Sequence, residues 1–194
     1  MEKNEIVDFV RQMKATDHAI LFYERTEDKH SVLFNYLSAG LDKGEAAAYI
    51  TSQETPNQIR EAMKQFGIDV DKLEKSGVLQ AIDYRDWYFK DGTFTISKTF
   101  EAWKKLYDQV MAKGFKGIRV TGETACFFEK RKVDELVEYE KSLHRKVELP
   151  MSVICAYDAN VVAREGDGRL YLDLIKAHST VIFADSEGSA IKSL

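Results

Sequence analysis

Two cysteines, two prolines and four histidines are scarce holdings for 194 residues, and each scarcity narrows the options. Cys126 and Cys155 lie in separate segments without metal-type spacing, so they read as reduced, mostly buried thiols rather than a structural disulfide or a metal-binding pair, with Cys126, which follows a strand end, the more accessible of the two. No apolar run approaches the ~18 residues that a membrane-spanning helix needs. The amino-terminal stretch carries Glu2, Glu5, Asp8 and Asp17, where an export signal would be basic and then apolar. A soluble, cytoplasmic protein with no membrane contact is expected. The 28 basic and 32 acidic residues are interspersed and leave a net charge of -4, so there is no basic face to suggest direct nucleic-acid binding. Glycine is missing from one telling place. The apolar run His18 to Tyr23 leads through Glu24-Arg25-Thr26-Glu27-Asp28-Lys29-His30 into a helical segment, Ser31 to Lys43, in the layout of a nucleotide-binding unit. A phosphate loop needs glycines so that backbone N–H groups can approach the anion, and a Lys-Ser/Thr pair to complete the site. This connection has no glycine and three carboxylates, and no lysine there reads as serviceable for phosphate.

What is present describes one α/β domain. Strand-length apolar runs recur at 18–24, 46–52, 78–84, 117–122, 152–157 and 179–184, most of them separated by helical periodicity. Strands nearly continuous in apolar content, such as Ala46 to Ile50 and Val153 to Tyr157, suit a mostly parallel central sheet with helices on both faces, a three-layer arrangement. Thr55-Pro56-Asn57-Gln58 has the residues of a capping box with proline at the first helical position, Ile59, Ala62, Met63 and Phe66 form the apolar stripe, and Gly67 is positioned to end that helix. Further helices are expected over about Glu2 to Met13, after Ser97, and from about Arg131 to Val147. The regions Ile68 to Gly77 and Asp83 to Phe94 read as irregular. There is no internal repeat or low-complexity segment.

In such sheets ligands gather beyond the carboxyl ends of the strands. That rule nominates Tyr23 and Glu24, Ser52 and Gln53, Tyr84 to Tyr88, Gly122 to Thr124, and Tyr157 with Asp158. Two further features carry chemistry. Arg119 stands inside an apolar strand, and Glu140 occupies a position in the Val133, Leu136, Val137, Leu143, Val147 stripe where the period calls for a hydrophobic residue. A buried charge wants a partner, so the two are expected to pair. His144, four residues after Glu140, shares its helical face and could share a metal with it, but His18, His30 and His178 are scattered and no second paired ligand motif accompanies them, so no metal site is expected. His18 and His178 stand at or just before strand starts, where capping is the expected role. Neither has a serine or cysteine beside it, so no catalytic residue is assigned. The aromatic segment Tyr84-Arg85-Asp86-Trp87-Tyr88-Phe89 needs either a core or a ligand to cover it.

Taken in order, His18 with Phe22-Tyr23, Gly40-Leu41, Trp87-Tyr88 with Asp91-Gly92, Arg119 to Gly122, Tyr139-Glu140, Cys155 to Tyr157 and His178 resemble the MEDS domain, a sensory domain named for methanogens, methylotrophs and a dichloromethane-responsive regulator. The resemblance covers roughly residues 15–185 of a single domain spanning 1–194. It implies a non-catalytic small-molecule sensor for a small hydrocarbon derivative or methylated compound, without cofactor. Such a domain acts with a protein partner such as a histidine kinase or regulator, or by homo-oligomerisation. It also implies kinship with the RecA and KaiC ATPases. The run Phe34 to Glu45 and Tyr49 to Pro56 is similar to the KaiC stretch from its first helix into its Glu-Glu-Thr-Pro turn, with Gln53 replacing the first glutamate. Residues 24–31 stand where the phosphate loop would be, and Glu123 closes the segment where the magnesium-binding aspartate would be. A degenerate RecA/KaiC-like fold is therefore expected, the alternative being a residual nucleotide-binding protein or ATPase. The expected ligand contacts are Tyr23, Trp87, Tyr88, Arg119, Glu123, Glu140 and Tyr157, with aromatics enclosing the ligand and the three charged residues orienting its polar end.

Overall fold

The computed structural model describes residues 3–146, 149–165, 168–184 and 189–193. In chain order the elements are α1 (Lys3–Gln12), β1 (His18–Tyr23), α2 (Thr26–Asp42), β2 (Ala46–Thr51), α3 (Pro56–Phe66), α4 (Val70–Ser76), β3 (Leu79–Asp83), α5 (Tyr84–Trp87), α6 (Ile96–Ala112), β4 (Ile118–Glu123), α7 (Ala125–Glu129), α8 (Val133–Lys146), β5 (Met151–Asp158), α9 (Ala159–Glu165), α10 (Gly168–Lys176), β6 (Thr180–Ala184) and β7 (Ser189–Ser193). The strands form one sheet in the order β3-β2-β4-β5-β1-β6-β7. All pairings from β3 to β6 are parallel, and β7 runs antiparallel to β6 at the edge, a strand the sequence pattern did not announce.

Strands β1, β2 and β4 are buried along their whole length, as a sheet covered on both sides requires, and in β4 this burial takes in Arg119, Thr121 and Glu123. The period of two sorts their side chains into two cores. Ile20, Phe22, Ala48, Ile50, Val120, Val153, Cys155 and Tyr157 face a layer built with α6, α7 and α8. Ala19, Leu21, Tyr23, Ala47, Tyr49, Ile154 and Ala156 face a layer built with α1, α2, α3 and α4. The capping box at Thr55 forms with both of its reciprocal bonds, and Gly67 closes α3 in the left-handed conformation at φ 103°.

Four local expectations change. Helix α2 begins at Thr26, so most of the supposed phosphate loop is helical first turn. The stretch Ile68 to Gly77 contains α4, capped by the Asp69 side chain. The aromatic segment holds the short α5 and is drawn into the core, with Tyr88 and Phe89 buried. Phe66, assigned to the apolar stripe of α3, is 41% exposed. The expected limits of the first and third helices at Glu2 and Val147 lie outside the described residues, as does the side chain of His144.

Candidate functional site

Two polar clusters are buried in this sheet, one on each face. The first sits at the carboxyl ends of β1, β2 and β4, on the α2 side. Glu123, the last residue of β4, is wholly buried. Its Oε1 accepts hydrogen bonds from the Lys29 ammonium at 2.6 Å and the Tyr49 hydroxyl at 2.8 Å. Its Oε2 accepts from the backbone N–H groups of Ser52 at 2.6 Å and Gln53 at 2.7 Å. Lys29, itself 1% exposed, donates also to Glu54 at 2.6 Å, and His30 reaches the same Glu54 oxygen at 2.8 Å. Burial pushes the Glu54 carboxyl up, but the hydrogen bonds from His30 and Lys29 outweigh it and hold the group down at about 2. The Tyr23 hydroxyl donates to Gln53, and burial, reinforced by Glu123, drives its ionisation far above the ordinary tyrosine range.

Sequence reasoning missed Lys29. The available signal was a lysine in the first turn after β1 with Ser31 two residues on, obscured by the acidic residues around it. The carboxylates also fall differently from expectation. Glu24 and Glu27 are exposed, while Asp28 is buried and bound by Arg25 through two hydrogen bonds of 2.7 and 3.0 Å. A phosphate entering here would compete with Glu54 and Glu123 for one ammonium, in a site whose carboxylates are already satisfied.

The second cluster lies on the opposite face, beneath α8. Glu140 is 0% exposed. One of its oxygens accepts from the Tyr157 hydroxyl at 2.6 Å. The other lies 3.4 Å from the Cys155 sulfur, 3.5 Å from Nε2 of His178 and 3.7 Å from Nε2 of His18. Nε2 of His18 is 3.3 Å from the same sulfur, and the two imidazole rings lie 4.1 Å apart. Burial first and the Glu140 charge second push the Cys155 thiol and the Tyr157 phenol well above their usual values. Around this cluster stands a layer of rings: Tyr88 against Phe127 at 5.2 Å and Tyr139 at 6.0 Å, Phe94 against Phe127 at 4.8 Å, and Trp87 against Trp103 at 4.4 Å. Trp103 donates its indole N–H to the Tyr139 hydroxyl at 2.7 Å, whereas the buried indole nitrogen of Trp87 has no acceptor among the described residues.

The expected pairing of Arg119 with Glu140 is overturned. Alternation along β4 points Arg119 to the α1–α2 side and leaves Glu140 across the sheet. The guanidinium is fully engaged, with Glu45 at 2.7 Å and the carbonyls of Val10, Tyr36, Arg11 and Met13 at 2.9, 3.0, 3.4 and 2.8 Å. It fastens α1 to the sheet. The seven nominated contacts therefore separate: Tyr23 and Glu123 share the first cluster, Glu140 and Tyr157 the second, Trp87 and Tyr88 line the aromatic layer around the second, and Arg119 belongs to neither. His18 and His178 do stand at the amino ends of their strands; His178 Nδ1 bonds the Leu174 carbonyl in the last turn of α10, as a capping side chain would, and both rings also face each other and Glu140. Cys126, expected to be the more accessible thiol, is buried, and burial pushes it up to about 12. The crevice beyond the strand ends exists as a cleft of about 340 Å³ lined by Gln53, Phe128, Arg131 and Arg164 among others, and of the residues nominated by topology it includes Gln53.

The parallel order places Lys29 of α2, Glu54 and the carboxylate at the end of β4 together at the carboxyl ends of the strands of a three-layer α/β fold, where they satisfy one another. Solved structures agree on the fold. A KaiC-like protein of the hyperthermophilic archaeon Pyrococcus horikoshii OT3 superposes with a TM-score of 0.67 at 17% identity, over 93% of this chain and 80% of that one. A second Pyrococcus horikoshii OT3 protein, known from a structural project, does so with a TM-score of 0.63 at 10% identity, over 100% and 92%. No curated protein matches the sequence. The model of one family, the methanogen/methylotroph, DcmR sensory domain, matches residues 17–179, and the chain belongs to that family, MEDS. No helix among the described residues is long and apolar enough to cross a membrane.

Proposed function

We propose that the protein is a non-catalytic small-molecule sensory domain in signal transduction or transcriptional regulation, and that its responsive site lies under the aromatic layer on the α6–α8 face rather than at the old phosphate position. The observation that carries this reading is the Glu140 cluster: a carboxylate, a phenol, a thiol and two imidazoles withdrawn from water beside a wall of aromatic rings. Burying such groups costs stability, so their concentration in one apolar layer points to function. The Trp87 indole supports it with a buried donor that an incoming polar atom could satisfy. Trp87, Tyr88 and Tyr157 supply apolar surface for a small hydrocarbon derivative or methylated compound, and the Trp87 indole N–H meets its polar end. Binding signals only through differential affinity for two conformations. The α5 segment, joined to β3 and resting on this layer, is the element that can move and pass occupancy to a protein partner such as a histidine kinase or regulator, or to a second copy of the chain.

A thermal-shift screen tests the reading. Chlorinated and methylated one- and two-carbon compounds are expected to raise Tm, and Tyr88→Ala to abolish the rise. Stabilisation by ATP with magnesium and by nothing else in the screen would overturn it in favour of a nucleotide-binding protein.

A further inference from the structure

We infer that His18, Glu140, Cys155 and His178 form a closed four-ligand site for a divalent transition-metal ion of the zinc class. The inference goes beyond the sensory reading and stands without it. One nitrogen or sulfur from each of three residues and one carboxylate oxygen from the fourth lie within 4.8 Å of one another, and all four residues are buried. The separations are informative. Contacts of 3.5 and 3.7 Å from the two imidazole nitrogens to the Glu140 oxygen are too long for N–H···O hydrogen bonds, which run about 2.7–3.2 Å. With metal–nitrogen and metal–oxygen bonds of about 2.0–2.2 Å and a metal–sulfur bond of about 2.3 Å, ligand atoms around a tetrahedral zinc ion stand roughly 3.3–3.7 Å apart. Four of the six edges, 3.3, 3.4, 3.5 and 3.7 Å, fall in that range, and all six lie within 4.8 Å.

The surrounding bonds orient the donors. His178 Nδ1 lies 2.7 Å from the Leu174 carbonyl oxygen, which can only accept, so the proton sits on Nδ1 and neutral His178 turns the lone pair of Nε2 inward. That Nε2 has no hydrogen-bond partner among the described residues although the side chain is 0% exposed. A backbone carbonyl behind a ligating imidazole is the usual arrangement that fixes the tautomer, and the Tyr157 hydroxyl bonded to the other Glu140 oxygen plays the same part for the carboxylate. The charges also balance: a dication, one thiolate, one carboxylate and two neutral imidazoles sum to zero, which suits a site removed from water. The thiolate and imidazoles favour zinc over magnesium or calcium. The chain gathers these ligands from β1, β5, α8 and the turn before β6, so no sequence spacing could reveal them.

The test is cobalt(II) titration of the chelator-stripped, full-length chain, followed by absorbance and by competition with zinc. The expected result is a thiolate-to-cobalt charge-transfer band and intense tetrahedral d–d bands saturating at about one ion per chain and erased by zinc. Cys126→Ser should keep the charge-transfer band, and Cys155→Ser, checked for folding by circular dichroism, should lose it. Tyr157→Phe should weaken zinc binding by about 10–100-fold. Absence of the charge-transfer band in the wild-type chain would overturn the inference, as would its persistence in a folded Cys155→Ser variant. Should Cys155→Ser not fold, the wild-type and Cys126→Ser spectra decide between the same two outcomes.

Discussion

Arg119 and Glu140 show what a charged residue in an apolar pattern does and does not reveal. Each was recognisable from sequence as a buried charge, because each interrupts an apolar strand or stripe. Their partners were not, because alternation along β4 sends Arg119 to one side of the sheet while α8 covers the other. Arg119→Gln removes a guanidinium that ties two carbonyls of α1, the Met13 carbonyl just after it, one carbonyl of α2 and the Glu45 carboxylate together, and should cost about 3–5 kcal/mol in a denaturant titration. Combined with Glu140→Gln, the losses should add within about 0.5 kcal/mol, since the two groups share no partner; a larger coupling would restore the pairing. Glu54 makes a pH prediction. Its carboxyl is held at about 2 in the folded chain against an ordinary value of 4.5. The folded value is the lower one, so the contribution is present above pH 4.5 and is lost as pH falls towards 2. Glu54→Gln should flatten the pH dependence of Tm across that window, with His30 and Lys29 left as the groups whose hydrogen bonds it severs.

Helix α2 was placed correctly over most of its length but began too late, because the acidic cluster before Ser31 reads as a loop when its neighbours are unknown. In the fold, Asp28 is neutralised by Arg25 and Lys29 by Glu54 and Glu123, and the helix starts five residues earlier than expected, at Thr26. Capping at Thr55 was legible because it depends on four adjacent residues, whereas the aromatic segment was not, since its packing on Phe127 and Tyr139 joins residues far apart in the chain. The crossing of α2 over β4 gives a sharper test. An interior helical Gly→Ala change ordinarily gains about 1 kcal/mol. At Gly40 the added carbon would stand 2.5 Å from the Arg119 Cδ, on a side chain pinned by five hydrogen bonds. Gly40→Ala should therefore destabilise, by roughly 1–3 kcal/mol for overpacking, and calorimetry showing the usual gain would mean that Arg119 is free to shift.

Across the molecule, the parallel sheet and its two covered faces were legible because strands of largely apolar composition are a local property. The candidate site was legible in its members Glu140 and Tyr157 but not in its composition, since His18 and His178 stand 160 positions apart and meet only where β1 lies beside β6. In this KaiC-like fold Lys29, Glu54 and Glu123 satisfy one another at the carboxyl ends of the strands, and the proposed sensory site lies on the opposite face. Both faces hold a reporter. The chain has only two tryptophans, Trp87 and Trp103, which meet in the aromatic layer on the Glu140 face, while the Ser52 and Gln53 amides bond to Glu123 at the end of β4. A ¹H–¹⁵N correlation spectrum recorded during titration with small chlorinated and methylated hydrocarbons, and separately with ATP and magnesium, follows both at once. The Trp87 indole signal should move on addition of a hydrocarbon derivative and saturate, with the Ser52 and Gln53 amides unmoved by nucleotide; nucleotide-dependent shifts at Ser52 and Gln53, with Trp87 unmoved by every hydrocarbon tried, would overturn the assignment of the sensory site to the aromatic face.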